Sequence, residues 1–177
     1  MSQQRQVLQQ AGTVEGNAVR FDAEKAEQVV EALNLDLAAS VVRYHQLRKH
    51  RWTVAGPESS ELGRFFGEAA AESERHADAL ARRIGELGGV PLSGPAAFER
   101  HSRIPFEGEN VYDARTSLGN DLDAYGDSIE SVSSHIELAE GLGDHATGHL
   151  LRDHLADLER RASAIDGLLA RDSLTDR

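Results

Sequence analysis

Four stretches of this chain carry apolar residues at alternating steps of three and four, and each continues for about seven helical turns before a glycine, proline or capping residue interrupts it. Asp22 stands where an N-cap is needed, and Ala26, Val30, Leu33, Leu37, Val41 and Tyr44 mark a first helix that ends near Trp52. A second opens at Ser59 or Ser60, buries Leu62, Phe66, Ala69, Ser73, Leu80, Ile84 and Leu87, and stops at Gly88 and Gly89. A third runs from about Val111 to Glu140 with Leu118, Leu122, Tyr125, Ile129, Val132 and Ile136 on one stripe, closed by the GLGD at 141–144. The fourth begins after Asp144 and carries Leu150 or Leu151, then Leu155, Leu158, Ala162, Ile165 and Leu168. A long helix cannot hide its own apolar stripe, so four of them imply an all-α bundle.

The link between the second and third helices holds Pro91, Gly94, Pro95, Pro105 and Gly108. At about 3.3 Å per residue, its roughly 22 residues reach the ~42 Å length of a 28-residue helix, which permits a parallel crossover. The insert PAAFERHS has the makings of a short helix on the way.

With 177 residues and 40% of them apolar, the chain suits one domain with a sizeable core. It divides into a polar, Gln-rich arm over 1–20, expected to be mobile, and a helical domain over 21–172. No apolar run approaches a membrane span or a signal-peptide core, so a cytoplasmic location is expected. The absence of cysteine removes thiolate metal sites and leaves histidine and carboxylate as ligands. A net charge of −11, with only Lys25 and Lys49 as lysines, disfavours direct contact with nucleic-acid phosphates.

On the second helix, Gly63, Gly67, Ala70, Ala71, Glu74, Asp78, Ala81, Arg82 and Gly85 fall opposite the apolar stripe. Each interior glycine costs about 0.8–1 kcal/mol of helix propensity relative to alanine, which close approach of another subunit would offset. A solvated surface face is the alternative.

Tyr44 and His45, Trp52, Val54 and Gly56, Leu62 and Phe66, Asp78, Ala81 and Arg83, LGGVPLS at 87–93 and GDHAT at 143–147 form an ordered set at spacings that resemble the Dps miniferritins, most closely their haloarchaeal form. The resemblance covers about residues 20–170. It implies a ferritin-like four-helix bundle with the long crossover between the second and third helices, assembling as a homo-oligomer into a dodecameric shell. It further implies ferrous iron oxidation, ferric iron storage and a role in oxidative stress. The family's ferroxidase centre lies between subunits. It uses a histidine just before the tryptophan, a histidine and an acid four apart early in the second helix, and an aspartate and a glutamate four apart later in that helix from the neighbour. Carried over by position, these become Arg51, Gly63, Gly67, Asp78 and Arg82, and only Asp78 keeps its type. A guanidinium has no lone pair for Fe²⁺ and repels it. The expectation is an interface bridged by ion pairs in place of metal, with Arg51 and Arg82 reaching Asp78 or Glu74 across the two-fold axis.

Iron has other candidate positions. Glu68, Glu72 and His76 lie at four-residue steps on one flank of the second helix, either as ligands that nucleate mineral or as a solvated acidic flank. Asp144, His149 and Asp153 stand at the start of the fourth helix, in the region that lines the family's three-fold pore; the simpler reading makes Asp144 an N-cap and the histidine a surface residue. Asp121, Asp123 and Asp127 read as solvated. The RKHR at 48–51 complements the negative end of the first helix dipole.

These readings converge on an iron-storing shell subunit whose intersubunit ferroxidase is largely lost, alone or co-assembled with an active relative. The rivals are a working ferroxidase built from Glu68, Glu72 and His76, and a metal-free structural cage.

Overall fold

The computed structural model describes residues 6–171 and Leu174. Five helices follow in order: α1 (Ala23–Thr53), α2 (Ser59–Glu86), α3 (Pro95–His101), α4 (Ala114–Leu142) and α5 (His145–Leu169). Among the described residues the remaining ordered pairing is one isolated antiparallel bridge, Val14 with Gly89. Local chemistry sets the boundaries. Asp22, Asp113 and Asp144 each accept a backbone N–H three residues on, from Lys25, Thr116 and Thr147, and so satisfy a donor that the first helical turn leaves free. Gly143 closes α4 in the left-handed region at φ 85°, where a side chain would be strained.

Cross-helix contacts fix the directions. Arg43 near the middle of α1 reaches Ser73 on α2 and Ser128 on α4. Asp36 of α1 meets Ser131 and His135 late in α4, whereas Gln46 and His50 meet Asp121 early in it, so α1 and α4 are antiparallel. Arg83 at the end of α2 meets Asp144 at the start of α5, and Glu72 meets Arg161, so those two are antiparallel as well. Val30 early in α1 lies against Gly89 just past α2, and Arg51 at the end of α1 against Gly67 early in α2, so α1 and α2 are antiparallel too, and α2 and α4 run in the same direction. The crossover therefore travels the length of the bundle, with α3 laid against α1 on the way and Ile104 buried against Ala39, Val42 and Ala124.

One apolar core includes Leu33, Leu37, Leu47, Phe66, Leu80, Ile84, Leu118, Tyr125, Leu151 and Ile165. Leu151, rather than Leu150, is the buried member of the pair. One sequence expectation needs correction: Ala70 belongs to the core and not to the opposite face of α2. The arm touches the end of α2, where Glu15 donates its N–H to the Gly88 carbonyl at 2.9 Å and Gln9 Nε2 donates to the same oxygen at 2.9 Å. Residues 1–5 of that arm, and Asp172 at the expected domain end, lie outside the described residues. No helix among the described residues is long and apolar enough to cross a membrane.

Candidate metal centre

The last turn of α1 carries Arg48, Arg51 and Trp52, and the start of α2 packs beside it. Arg48 lies over the rings of both Tyr44 and Trp52 at 5.4 and 5.1 Å and donates to the Tyr44 hydroxyl at 2.6 Å. This props Trp52 outward with 68% of its surface exposed. Arg51 turns to α2 instead. A Cβ placed on Gly67 would come within 2.9 Å of Arg51 Nη1, 3.1 Å of Cζ and 3.2 Å of Nε, so the guanidinium fills the space a side chain at 67 would use. At Gly63 the corresponding neighbour is only Val54 Cγ1, at 4.0 Å. The structure thus brings Arg51, Gly63 and Gly67 together. Asp78 lies eleven residues beyond Gly67 on the same straight helix, about 16 Å along its axis, with Arg82 one turn further. Both are exposed, as is Glu74, so any meeting with Arg51 requires a second copy.

On the flank of Glu68, Glu72 and His76, the last two side chains are buried and engaged by α5. Glu72 is buried and accepts from Arg161 Nε and Nη2 at 3.1 and 3.4 Å. His76 is buried, with Nε2 3.0 Å from Asp157 and its ring stacked on His154 at 4.0 Å. Burial foremost, joined by the Arg43 charge and opposed by Asp157, lowers the His76 pKa. Glu68 alone stays open, 3.9 Å from Arg161. Among the described residues, no group of three or more histidine or carboxylate side chains is arranged to hold a metal ion.

At the start of α5, Asp144 is 4% exposed, caps the helix and pairs with Arg83 Nη2 at 2.8 Å. Its carboxylate is engaged by Thr147 and Arg83. His149 and Asp153 are exposed, 3.7 Å apart.

The sequence reading missed a second cluster where α1 ends. His50, 1% exposed, stands between two carboxylates: Nδ1 is 2.8 Å from Asp121 and Nε2 is 2.6 Å from Glu107. Lys49 and Asn120 also donate to Glu107, at 2.5 and 2.8 Å, and Gln46 donates to Asp121 at 2.8 Å. With an oxygen facing each nitrogen, the geometry suits imidazolium. Burial alone would lower the His50 pKa, but the hydrogen bonds and charges of Asp121 and Glu107 prevail and raise it. Glu107 is held low despite burial, first by Lys49 and then by Asn120 and His50. Asp121, expected to be solvated, is fully buried. Its position between Leu118 and Tyr125 on the apolar stripe was the available signal.

Residues 30–175 match the ferritin-like domain family. The chain is 51% identical over 175 residues to the DNA protection during starvation protein of Halobacterium salinarum, covering 98% of this chain and 96% of that one. It is 33% identical to a nutrient stress-induced DNA-binding protein of Synechococcus, over 95% and 96% of the two chains. Among solved structures, the archaeal Dps homologue from Halobacterium salinarum superposes with a TM-score of 0.93 at 50% identity, covering 99% of this chain and 98% of that one. The Dps protein from Vibrio cholerae, described as a member of a broad superfamily of ferritin-like diiron-carboxylate proteins, gives 0.83 at 25% identity over 91% and 99%. With its sequence matched end to end and its helices superposed on theirs, the chain belongs to the ferritin-like Dps family.

Proposed function

We propose that this chain is the subunit of a Dps-type miniferritin shell that stores iron, and that the ferroxidase centre its family forms between subunits is replaced here by contacts of arginine with carboxylate. Iron is the cargo of such a shell. Full-length similarity to Dps proteins supports storage. The observation that carries the loss of the centre is the Arg51 guanidinium lying on Gly67, where two ligand positions have become a fixed positive charge and an absent side chain. A second copy would bring Asp78 or Glu74 to this guanidinium, and its Arg82 would complete an ion-paired seam.

Among the relatives, the Synechococcus protein is named as DNA-binding. For this chain we favour protection through iron handling over direct DNA contact. Its net charge is −11. Of its two lysines, Lys49 is engaged by Glu107. A cytoplasmic homo-oligomer, in the family's dodecameric form, completes the reading.

The test is iron loading. Ferrous iron oxidised slowly in air in the presence of the purified shell should co-elute with it as ferric mineral, well beyond one iron per subunit. A shell that emerges as apoprotein, with the iron precipitated outside, would favour the metal-free cage.

A further inference from the structure

Among the described residues, the large apolar side chains left exposed are Val7, Leu8, Val19, Trp52, Phe106 and Val111. Two pairs of these are complementary. Trp52 and Phe106 stand on the walls of an open groove of about 540 Å³ between the second half of α1, α3 and the crossover, which Val41 and Phe98 also line. Val7 and Leu8 are neighbours on the arm, 68% and 86% exposed, just before Gln9 binds the Gly88 carbonyl. Apolar surface gathered in this way marks a contact with another molecule.

The groove and the apolar pair of the arm do not meet within one chain. Gly89, next to the arm's anchor, lies against Val30 near the start of α1. Val41 and Trp52 stand 11 and 22 residues beyond Val30, about 16 and 33 Å along the helix axis. Val7 is only two residues from the anchored Gln9, about 7 Å of extended chain. The two surfaces also match in charge. Glu99 and Glu109 line the groove, both are exposed, and neither forms an ion pair with a described residue. Lys49 on the same wall is held by Glu107 and the Gly108 carbonyl. The arm sequence over 3–10 is QQRQVLQQ, which sets Arg5 two residues before the apolar pair and contains no acid.

We propose that Val7 and Leu8 of one copy seat in the α1–α3 groove of a second copy, against Trp52, Phe98 and Phe106, and that the acidic rim of Glu99 and Glu109 favours this arginine-bearing, acid-free segment. The arm is then a clasp, with its base on its own α2 and its tip on a neighbour. This rests on the homo-oligomer of the proposed function and adds which surfaces the copies share.

The chain has no cysteine and one tryptophan, so both reporters of the contact are unambiguous. Leu8→Cys with Glu99→Cys, oxidised in the intact shell, should give covalent dimers or larger multimers on a gel without reductant, and neither single variant should. Monomer alone from protein that elutes as a shell, or equal multimers from Leu8→Cys by itself, overturns the clasp and leaves the shell standing. Elution of the natural chain as a single subunit would instead remove the shell, and the clasp with it. Trp52 emission separates the arm from any other cover of the groove. Val7→Asp with Leu8→Asp should shift it to longer wavelength at unchanged elution volume. Emission that does not move in this variant means that the body of a second copy, or nothing, covers the groove, and contradicts the proposal.

Discussion

His50 shows how one proton can hold a loop to a bundle. Its two nitrogens face Asp121 and Glu107, and Glu107 belongs to the crossover, which has no other strongly charged tie to the end of α1 than Glu107 with His50 and Lys49 among the described residues. A histidine whose folded pKa lies above its unfolded value of about 6.5 contributes stability that is fully present below that value. The contribution is lost as pH rises through the raised folded value. Melting curves across pH 6–10 should therefore show a decline on the alkaline side that His50→Gln removes, at a cost of about 3 kcal/mol below neutral pH, since both carboxylates lose a buried cation. A variant with unchanged stability would mean that the pair carries no charge. Gly67 offers the opposite case. Arg51 is the exposed, flexible end of a long side chain, so Gly67→Ala should displace it by a few tenths of an ångström and gain about 0.5–1 kcal/mol of helix propensity. Urea denaturation of the monomeric unit or the shell would read this gain, and a loss would show that the guanidinium is pinned.

Helix limits were legible because they are local. Asp22 was read as a cap from type and position, and Asp144 as a pore residue with a cap as the simpler alternative; both hold the backbone N–H of a cap. Asp144→Ala should cost about 1–2 kcal/mol from the cap and somewhat more from the half-buried Arg83, which keeps only Glu86 as an ionic partner, measurable as a lowered melting temperature. Polar residues inside the apolar stripes were harder to read. Asp36, Arg43, Glu72, His76 and Asp121 look like surface residues when charge alone is considered, and their burial depends on partners from other helices that periodicity within one helix cannot supply. The contact of the arm with the end of α2 was not legible in its polar, Gln-rich composition: the fold places Gly88, at φ 81°, beneath the Glu15 carbonyl, where a Cβ would approach to 2.2 Å. Gly88→Ala should strain the turn and release the arm. Hydrogen exchange at Glu15 should then accelerate while that of α1 to α5 stays unchanged; retained protection would place the anchor elsewhere.

The bundle, the crossover and the capped helices are those of a Dps subunit, and the relatives match it end to end. On the proposed reading, Arg51, Gly63, Gly67, Asp78 and Arg82 stand where the family's subunits would share a metal, with Asp78 and Arg82 about 16 Å or more along α2 from Gly67. The residue types at these five positions were legible in the sequence, through the resemblance. That Arg51 covers Gly67 was not, because it depends on the packing of the end of α1 against α2. The most direct measurement is the initial rate of ferrous iron oxidation by peroxide at stoichiometric iron, for the intact shell and for the variant Arg51→His, Gly63→His, Gly67→Asp, Arg82→Glu. The account predicts a rate equal to the protein-free blank for the natural chain, and a new saturable rate for the variant. Saturable oxidation by the natural chain, well above the blank, would contradict it.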